Sequence, residues 1–218
     1  MNKITKSMLA MSALYALSMQ PASALTVTLG NQFFQPGDRP NGTALSASFS
    51  GEPAPFNAFI GDDTGVNTNL NASWTFNYSA ISGITSASLA LGILDADTLA
   101  AGNQVASFTL NGLDLTGLIN SAFEANPVGS NVYAIYTIEL PSTTFATLAT
   151  GTANFSLALQ GPGLAVLGDT PLNGAALDFS TLNLSNQVTP PPQNVPAPAA
   201  AALLLTALPW LVRRNKKA

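Results

Sequence analysis

The sequence predicts an all-β fold, an antiparallel β-sandwich, from the period of its apolar residues and the length of its apolar runs. In residues 72–78, Trp74, Phe76 and Tyr78 share one face of an extended chain while Ser73, Thr75 and Asn77 share the other. The same two-residue period recurs in Leu89, Leu91 and Ile93; in Ala106, Phe108 and Leu110; in Val132, Ala134, Tyr136, Ile138 and Leu140; and in Ala153, Phe155, Leu157 and Leu159. These runs are short and separated by turn-forming residues, and a further run from Leu177 to Leu184 with weaker strands at residues 26–29 and 44–49 brings the count to about eight, the range of a jelly-roll-like sandwich.

The elements follow in order. Residues 1–24 divide into a basic start (Lys3, Lys6), an apolar run and the small-residue exit Ala22-Ser23-Ala24, the pattern of a secretory signal peptide that signal peptidase would cut after Ala24. Residues 25–187 are long enough for one domain with a sizeable core. Within them, Leu115, Leu118, Ile119, Ala122 and Phe123 follow helical spacing, with Asp114 or Thr116 as candidate caps. A second short helix is expected over residues 143–149, capped by Ser142 and ended by Gly151. Near the end, the apolar phase shifts from Leu177 and Phe179 to Leu182 and Leu184, which predicts a bulge or a change of partner sheet around Ser180. Residues 188–194 are a proline-rich linker, too polar and too stiff to join a core.

The last segment, 195–218, has a different physics. Residues 197–212 contain one polar side chain, Thr206, and as a helix would rise about 24 Å, a short membrane span. The cluster Arg213, Arg214, Lys216 and Lys217 that follows should stay on the cytoplasmic side, leaving the domain outside.

Composition removes several chemistries. Among 218 residues there is no Cys and no His, so no thiol nucleophile, disulfide, imidazole base or Cys/His zinc site can form. Only 8% of residues are charged, against roughly a quarter in an average soluble domain. The eleven acids all fall between Asp38 and Asp178, where Arg39 is the one base, so the exported part has a net charge of −10 and would repel nucleic acid.

Candidate sites are few. Asp63-Thr64-Gly65 spells the triplet of aspartic proteases, but a second copy is missing and a turn explains it. Glu52, Glu124 and Glu139 have no spacing that pairs two of them as a glycosidase requires. Calcium, which takes hard oxygen ligands from loops, is the better candidate: Asp62, Asp63, Asp95 and Asp97 could converge if their two loops lie at one end of the sandwich. Trp74 and Tyr78 read as core rather than as a sugar-stacking platform, and Tyr133, facing opposite to Tyr136, is the expected exposed aromatic.

Val195-Pro196-Ala197-Pro198, followed by the Leu-rich span and the Arg/Lys cluster, resembles the PEP-CTERM sorting signal in its V-P-x-P-A variant. The resemblance is confined to this tail. It implies a substrate of exosortase, a membrane protease that cleaves near the motif and releases the ectodomain. The expectation is therefore a non-enzymatic, exported protein of a Gram-negative surface, in transient membrane contact through residues 197–212 and then free in the extracellular matrix or biofilm. Its partners would be extracellular polysaccharide or matrix protein, with no nucleic acid. The alternative is a secreted carbohydrate-active enzyme or carbohydrate-binding module with the same tail.

Overall fold

The computed structural model describes residues 22–62, 69–94, 103–160 and 173–187. The expected signal segment up to Pro21, the linker, the sorting motif, the span and its basic cluster lie outside these residues. No helix among the described residues is long and apolar enough to cross a membrane.

Among the described residues nine strands form two antiparallel sheets. They are β1 (Ala22–Gly30), β2 (Phe59–Asp62), β3 (Asn71–Asn77), β4 (Ile84–Leu94), β5 (Val105–Leu110), β6 (Leu113–Asp114), β7 (Tyr133–Glu139), β8 (Thr152–Leu159) and β9 (Asn173–Gln187). One sheet has the order β1-β9-β4-β7, with β2 also on β9; the other has the order β3-β8-β5-β6. The pairs β1–β9, β3–β8, β4–β7 and β5–β6 are nested, as though one long hairpin with its turn between β5 and β6 had been rolled so that successive pairs fall in alternate sheets. Three short helices, α1 (Gly42–Ser48), α2 (Thr116–Ala125) and α3 (Phe145–Leu148), interrupt the strands.

The two-residue period does what it predicts. In β3 the exposure alternates strictly, with Ala72, Trp74 and Phe76 inside. Trp74 stacks on Phe155 at 5.6 Å between ring centres, and Phe155 stacks on Phe108 at 5.7 Å, so three neighbouring strands contribute one aromatic layer to the core. Leu89, Leu91, Ile138, Leu182 and Leu184 face it from the other sheet. Each fully buried side chain of this size contributes about 1.5–3 kcal/mol, which is why so few charges suffice to define the fold.

Several local expectations are corrected. Residues 44–49 are not a strand: Asn41 accepts the Ala44 amide through its side chain at 2.9 Å, and this cap starts α1. The described residues therefore hold three helices rather than one or two. Strands β2 and β6 were not foreseen. The second follows from Asn111-Gly112, whose φ angles of 48° and 83° make the two-residue turn that pairs Leu110 with Leu113. The bulge expected around Ser180 is present, at Asp178: Gly92 pairs with Phe179 and Ile93 with Leu177, so Asp178 is the extra residue that reverses the faces of β9. At α2, Asp114 accepts the Thr116 amide at 2.9 Å, while the Thr116 hydroxyl accepts from the Phe108 amide instead of capping. At α3, Ser142 makes no cap bond and opens a short 3-10 turn instead; the expected stop at Gly151 holds, with a φ of +92°.

Candidate functional site

The outer face of the five-stranded sheet is itself covered. Ala90 and Leu94 of β4, Tyr133 and Ile135 of β7, and Ala176 and Phe179 of β9 form a second apolar cluster with Phe34, Leu45, Phe49 and Phe59, supplied by the strap of residues 31–59 that includes α1. Tyr133 is therefore fully buried rather than exposed, because the strand face opposite Tyr136 meets this strap and not solvent. Gly92 makes room for it: a Cβ there would lie 2.1 Å from the Tyr133 hydroxyl and 2.5 Å from the Phe179 ring.

Asp178 holds the strap down. At the bulge its carboxylate turns outward, is only 6% exposed, and accepts the amides of Phe33 at 2.8 Å and Phe34 at 3.4 Å. Burial pushes its carboxyl above the ordinary carboxylate range, and the Phe33 amide opposes that shift only in part. Burial, and then the charge of Asp178, push the neighbouring Tyr133 hydroxyl up in turn; no hydrogen bond of normal geometry reaches that oxygen. Glu52, on the strap, accepts from the Asn31 side-chain amide and adds negative charge near Asp178. A raised carboxyl often marks a catalytic acid. Here its hydrogen bonds go to backbone amides of the strap, and it lines neither of the two clefts described next, so its geometry is that of a structural latch.

Two open clefts lie elsewhere. The first, about 540 Å³, sits on the outer face of the four-stranded sheet, lined by Ser73, Thr75, Thr109, Asn111, Asn154 and Ser156, with no charged group. Its side chains are ordered by one another: the Thr75 hydroxyl donates to Asn154 Oδ1 at 2.7 Å, and Asn111 accepts the Asn154 amide at 2.9 Å. The second, about 600 Å³, runs along α2 past Asn103, Thr116, Asn120 and Glu124. Neither sets two carboxyl groups across from each other.

Of the four acids assigned to calcium, Asp62 alone falls among the described residues, at the end of β2; Asp63, Asp95 and Asp97 lie outside them. The strands that precede them share a direction, both finishing at one end of the sheet. Both β2 and β4 run antiparallel to β9, one on each side of it, so Asp62 opposite Asn173 and Leu94 opposite Ala176 leave the sheet at the same end, about 10 Å apart across it and about 10 Å apart along it by strand geometry. No group of three or more Asp or Glu close enough to hold a metal occurs among the described residues.

Trp74 and Tyr78 form no platform. Trp74 is buried and its indole N–H donates to the buried Ser180 hydroxyl at 3.1 Å. The Tyr78 hydroxyl donates to the Leu148 carbonyl at 2.8 Å, and burial pushes it up to about 12. Phe33, in the strap, is the aromatic left most open to solvent among the described residues.

Sequence reasoning missed Asp178 and Asn120. The phase shift in β9 pointed at the first; an Asn amid the apolar spacing of α2 was the only sign of the second. No protein-family model and no characterised protein matches the chain in sequence. Among solved structures it is similar to dimeric latent PorU from Porphyromonas gingivalis, at 10% identity and a TM-score of 0.38 over 76% of this chain, and spans 13% of that protein's length. It is also similar to the Tobacco streak virus coat protein, at 12% identity and a TM-score of 0.23, over 80% of this chain and 95% of that one. Likenesses at these scores carry no argument about what the chain does.

Proposed function

We propose that the chain is a secreted, surface-sorted structural or binding protein of the bacterial extracellular matrix, non-enzymatic and processed at both ends. The observation that supports this reading is the order of the tail: Val195-Pro196-Ala197-Pro198, an apolar stretch to Val212, then Arg213, Arg214, Lys216 and Lys217. Signal peptidase would cut after Ala24 and exosortase near the motif. Cleavage after Ala24 leaves Leu25–Gly30 of β1 paired with Phe179–Leu184, so the sheet survives it. We take the fold to be a jelly roll, for which the nested strand pairs are the support.

The uncharged hydroxyl and amide cleft over β3, β8 and β5 is the surface on which an extracellular polysaccharide would dock, since it opposes neither neutral nor anionic polymer with charge. Calcium would bridge Asp62, Asp63, Asp95 and Asp97 where the chain leaves β2 and β4. That part is tested by thermal unfolding in excess calcium and in excess chelator; equal midpoints end it.

The sorting reading is tested in cells that make the full chain or a chain stopped before Val195. The expected result is a released ectodomain without its tail from the first, and no membrane-bound intermediate from the second. An intact chain, tail included, that stays in the membrane makes the segment a plain anchor and sinks the proposal.

A further inference from the structure

The molecule protects its sheet edges unequally. At β5, Asn120 of α2 stands in for a neighbouring strand: its Oδ1 accepts the Val105 amide at 3.1 Å and its Nδ2 donates to the Val105 carbonyl at 2.9 Å. Further along, the Phe108 amide donates to the Thr116 hydroxyl at 2.9 Å, and the Phe108 carbonyl accepts from the Leu115 amide at 2.7 Å. At β7, the Gly37 amide donates to the Tyr133 carbonyl and the Tyr133 amide to the Asp38 carbonyl, both at 2.9 Å. Strand β1 has nothing comparable. It is the last strand of its sheet, and among the described residues no backbone bond is made on the side away from β9.

An open edge invites a mate unless charge, proline or a bulge deters it. Strand β1 has none of the three: no charged residue and no proline occur in Ala22–Gly30, and its register with β9 is unbroken over nine pairs. Its core-facing Leu25, Val27 and Leu29 are only partly buried. Strand β3, the edge of the other sheet, differs here, because its Ala72, Trp74 and Phe76 are already buried and a mate would cover nothing more of them.

The decisive feature is in the sequence of the strand. Leu25-Thr26-Val27-Thr28-Leu29 reads the same in both directions. Antiparallel pairing with an identical strand, centred on Val27, sets Leu25 against Leu29, Thr26 against Thr28, and Val27 against itself. Core-facing leucines then meet leucines, and outer threonines meet threonines, a favourable cross-strand pair already used within the chain where Thr28 and Thr181 share a 2.8 Å hydrogen bond. A two-fold contact requires a surface complementary to itself, and this strand is one.

We propose that β1 pairs antiparallel with β1 of a second copy of this chain, about a two-fold axis at Val27, so that the five-stranded sheet continues across a dimer. The contact goes beyond the matrix reading and does not depend on it. The five residues involved survive cleavage after Ala24.

The chain has no cysteine, so a single introduced one reports without background. Cα atoms of directly opposed antiparallel residues are about 4.5 or 5.5 Å apart, inside the range a disulfide spans. The full chain with Val27→Cys, purified in mild detergent and oxidised, should run as a covalent dimer without reductant, whereas Ser156→Cys on the outer face of β8 should not. The unmodified full chain should have the mass of two copies, and Thr26→Lys with Thr28→Lys should halve it with the circular dichroism unchanged. Should Val27→Cys fail to fold, a mixture of Thr26→Cys and Thr28→Cys chains should crosslink more than either alone. A single-copy mass, crosslinking no greater than at Ser156, or a dimer that survives the two lysines overturns the proposal; the last would assign association to the apolar tail or another face.

Discussion

Asp178 accepts the Phe33 amide at 2.8 Å across 145 positions of sequence, and that bond fastens the strap of residues 31–59 to the bulge of β9. On either side of this bulge Ala176 and Phe179 pack beneath the strap.

The carboxyl of Asp178 lies above its ordinary value of 3.8 in the folded chain because burial penalises the charge. A raised folded value means that the native state holds the proton more tightly than the unfolded chain. Its contribution to stability is thus fully present below about pH 3.8 and is lost as pH rises through the raised value. Asp178→Asn keeps an oxygen for the Phe33 amide and has no charge to bury. Its stability relative to the parent should therefore increase with pH through that window and level off above it. Urea unfolding of both proteins from pH 3 to 7 reads this difference, in which the opposite slope from Asp114, whose carboxyl is lowered by its bonds to Thr116, cancels. Parallel profiles would show that Asp178 is not the titrating group.

Gly92→Ala tests the seat of Tyr133. The new Cβ meets the Tyr133 hydroxyl at 2.1 Å and the Phe179 ring at 2.5 Å, neither of which can retreat from beneath the strap. The expected cost is about 1–3 kcal/mol, the usual range for overpacking. Combining it with Tyr133→Phe removes the nearer atom and should recover part of the loss but not all, since Phe179 stays. Thermal unfolding of the three variants measures this. A double variant no better than Gly92→Ala would mean that the phenol had already moved aside.

What was legible in the sequence follows from how far each signal reaches. The period of Trp74, Phe76, Phe155 and Leu157 depends only on which face of a strand meets the core, so it predicted the sandwich. Residues 44–49 alternate too, yet Asn41 caps a helix there, and a capping bond from three residues upstream outweighs a weak alternation. Asn111-Gly112 was a local hairpin signal passed over beside the stronger helical spacing that follows it. Tyr133 differs for another reason. The alternation places its face opposite that of Tyr136, but whether that face meets water depends on a strap far earlier in the chain, and no periodicity encodes that. The acids assigned to calcium share this dependence: the strand order that brings β2 and β4 to an end at the same end of the sheet is a property of the topology, not of the spacing between Asp62 and Asp95.

Trp74 and Ser180 join the two sheets through one buried hydrogen bond, 3.1 Å from indole N–H to hydroxyl. Ser180→Ala strands the indole N–H inside the core, and Trp74→Phe strands the hydroxyl; each should cost about 1–3 kcal/mol for the unmet polar group, with a further packing loss for the smaller ring. The double variant leaves neither orphan. Its destabilisation should fall below the sum of the single effects, and a chemical-denaturation cycle gives the coupling directly. Additive losses would mean that the two groups do not act as a pair.

Asn120 offers the sharpest test of edge protection, because its two bonds to Val105 can be removed one at a time. Asn120→Asp keeps the acceptor for the Val105 amide but sets a carboxylate oxygen against the Val105 carbonyl, in a site where Asn120 is 6% exposed and Val105 1%. Asn120→Ala removes both partners and leaves an amide and a carbonyl of the strand edge unmet, at about 1–3 kcal/mol for each buried group. Asp should be the worse of the two at neutral pH and should improve on acidification, when a protonated carboxyl again donates to the carbonyl; Ala should show no such recovery. Hydrogen exchange at the Val105 amide separates edge exposure from general destabilisation: it should accelerate more than the amide of Leu157, in β8 at the centre of the same sheet, in the alanine variant. Equal acceleration at both would mean that Asn120 supports the whole core rather than the edge of β5.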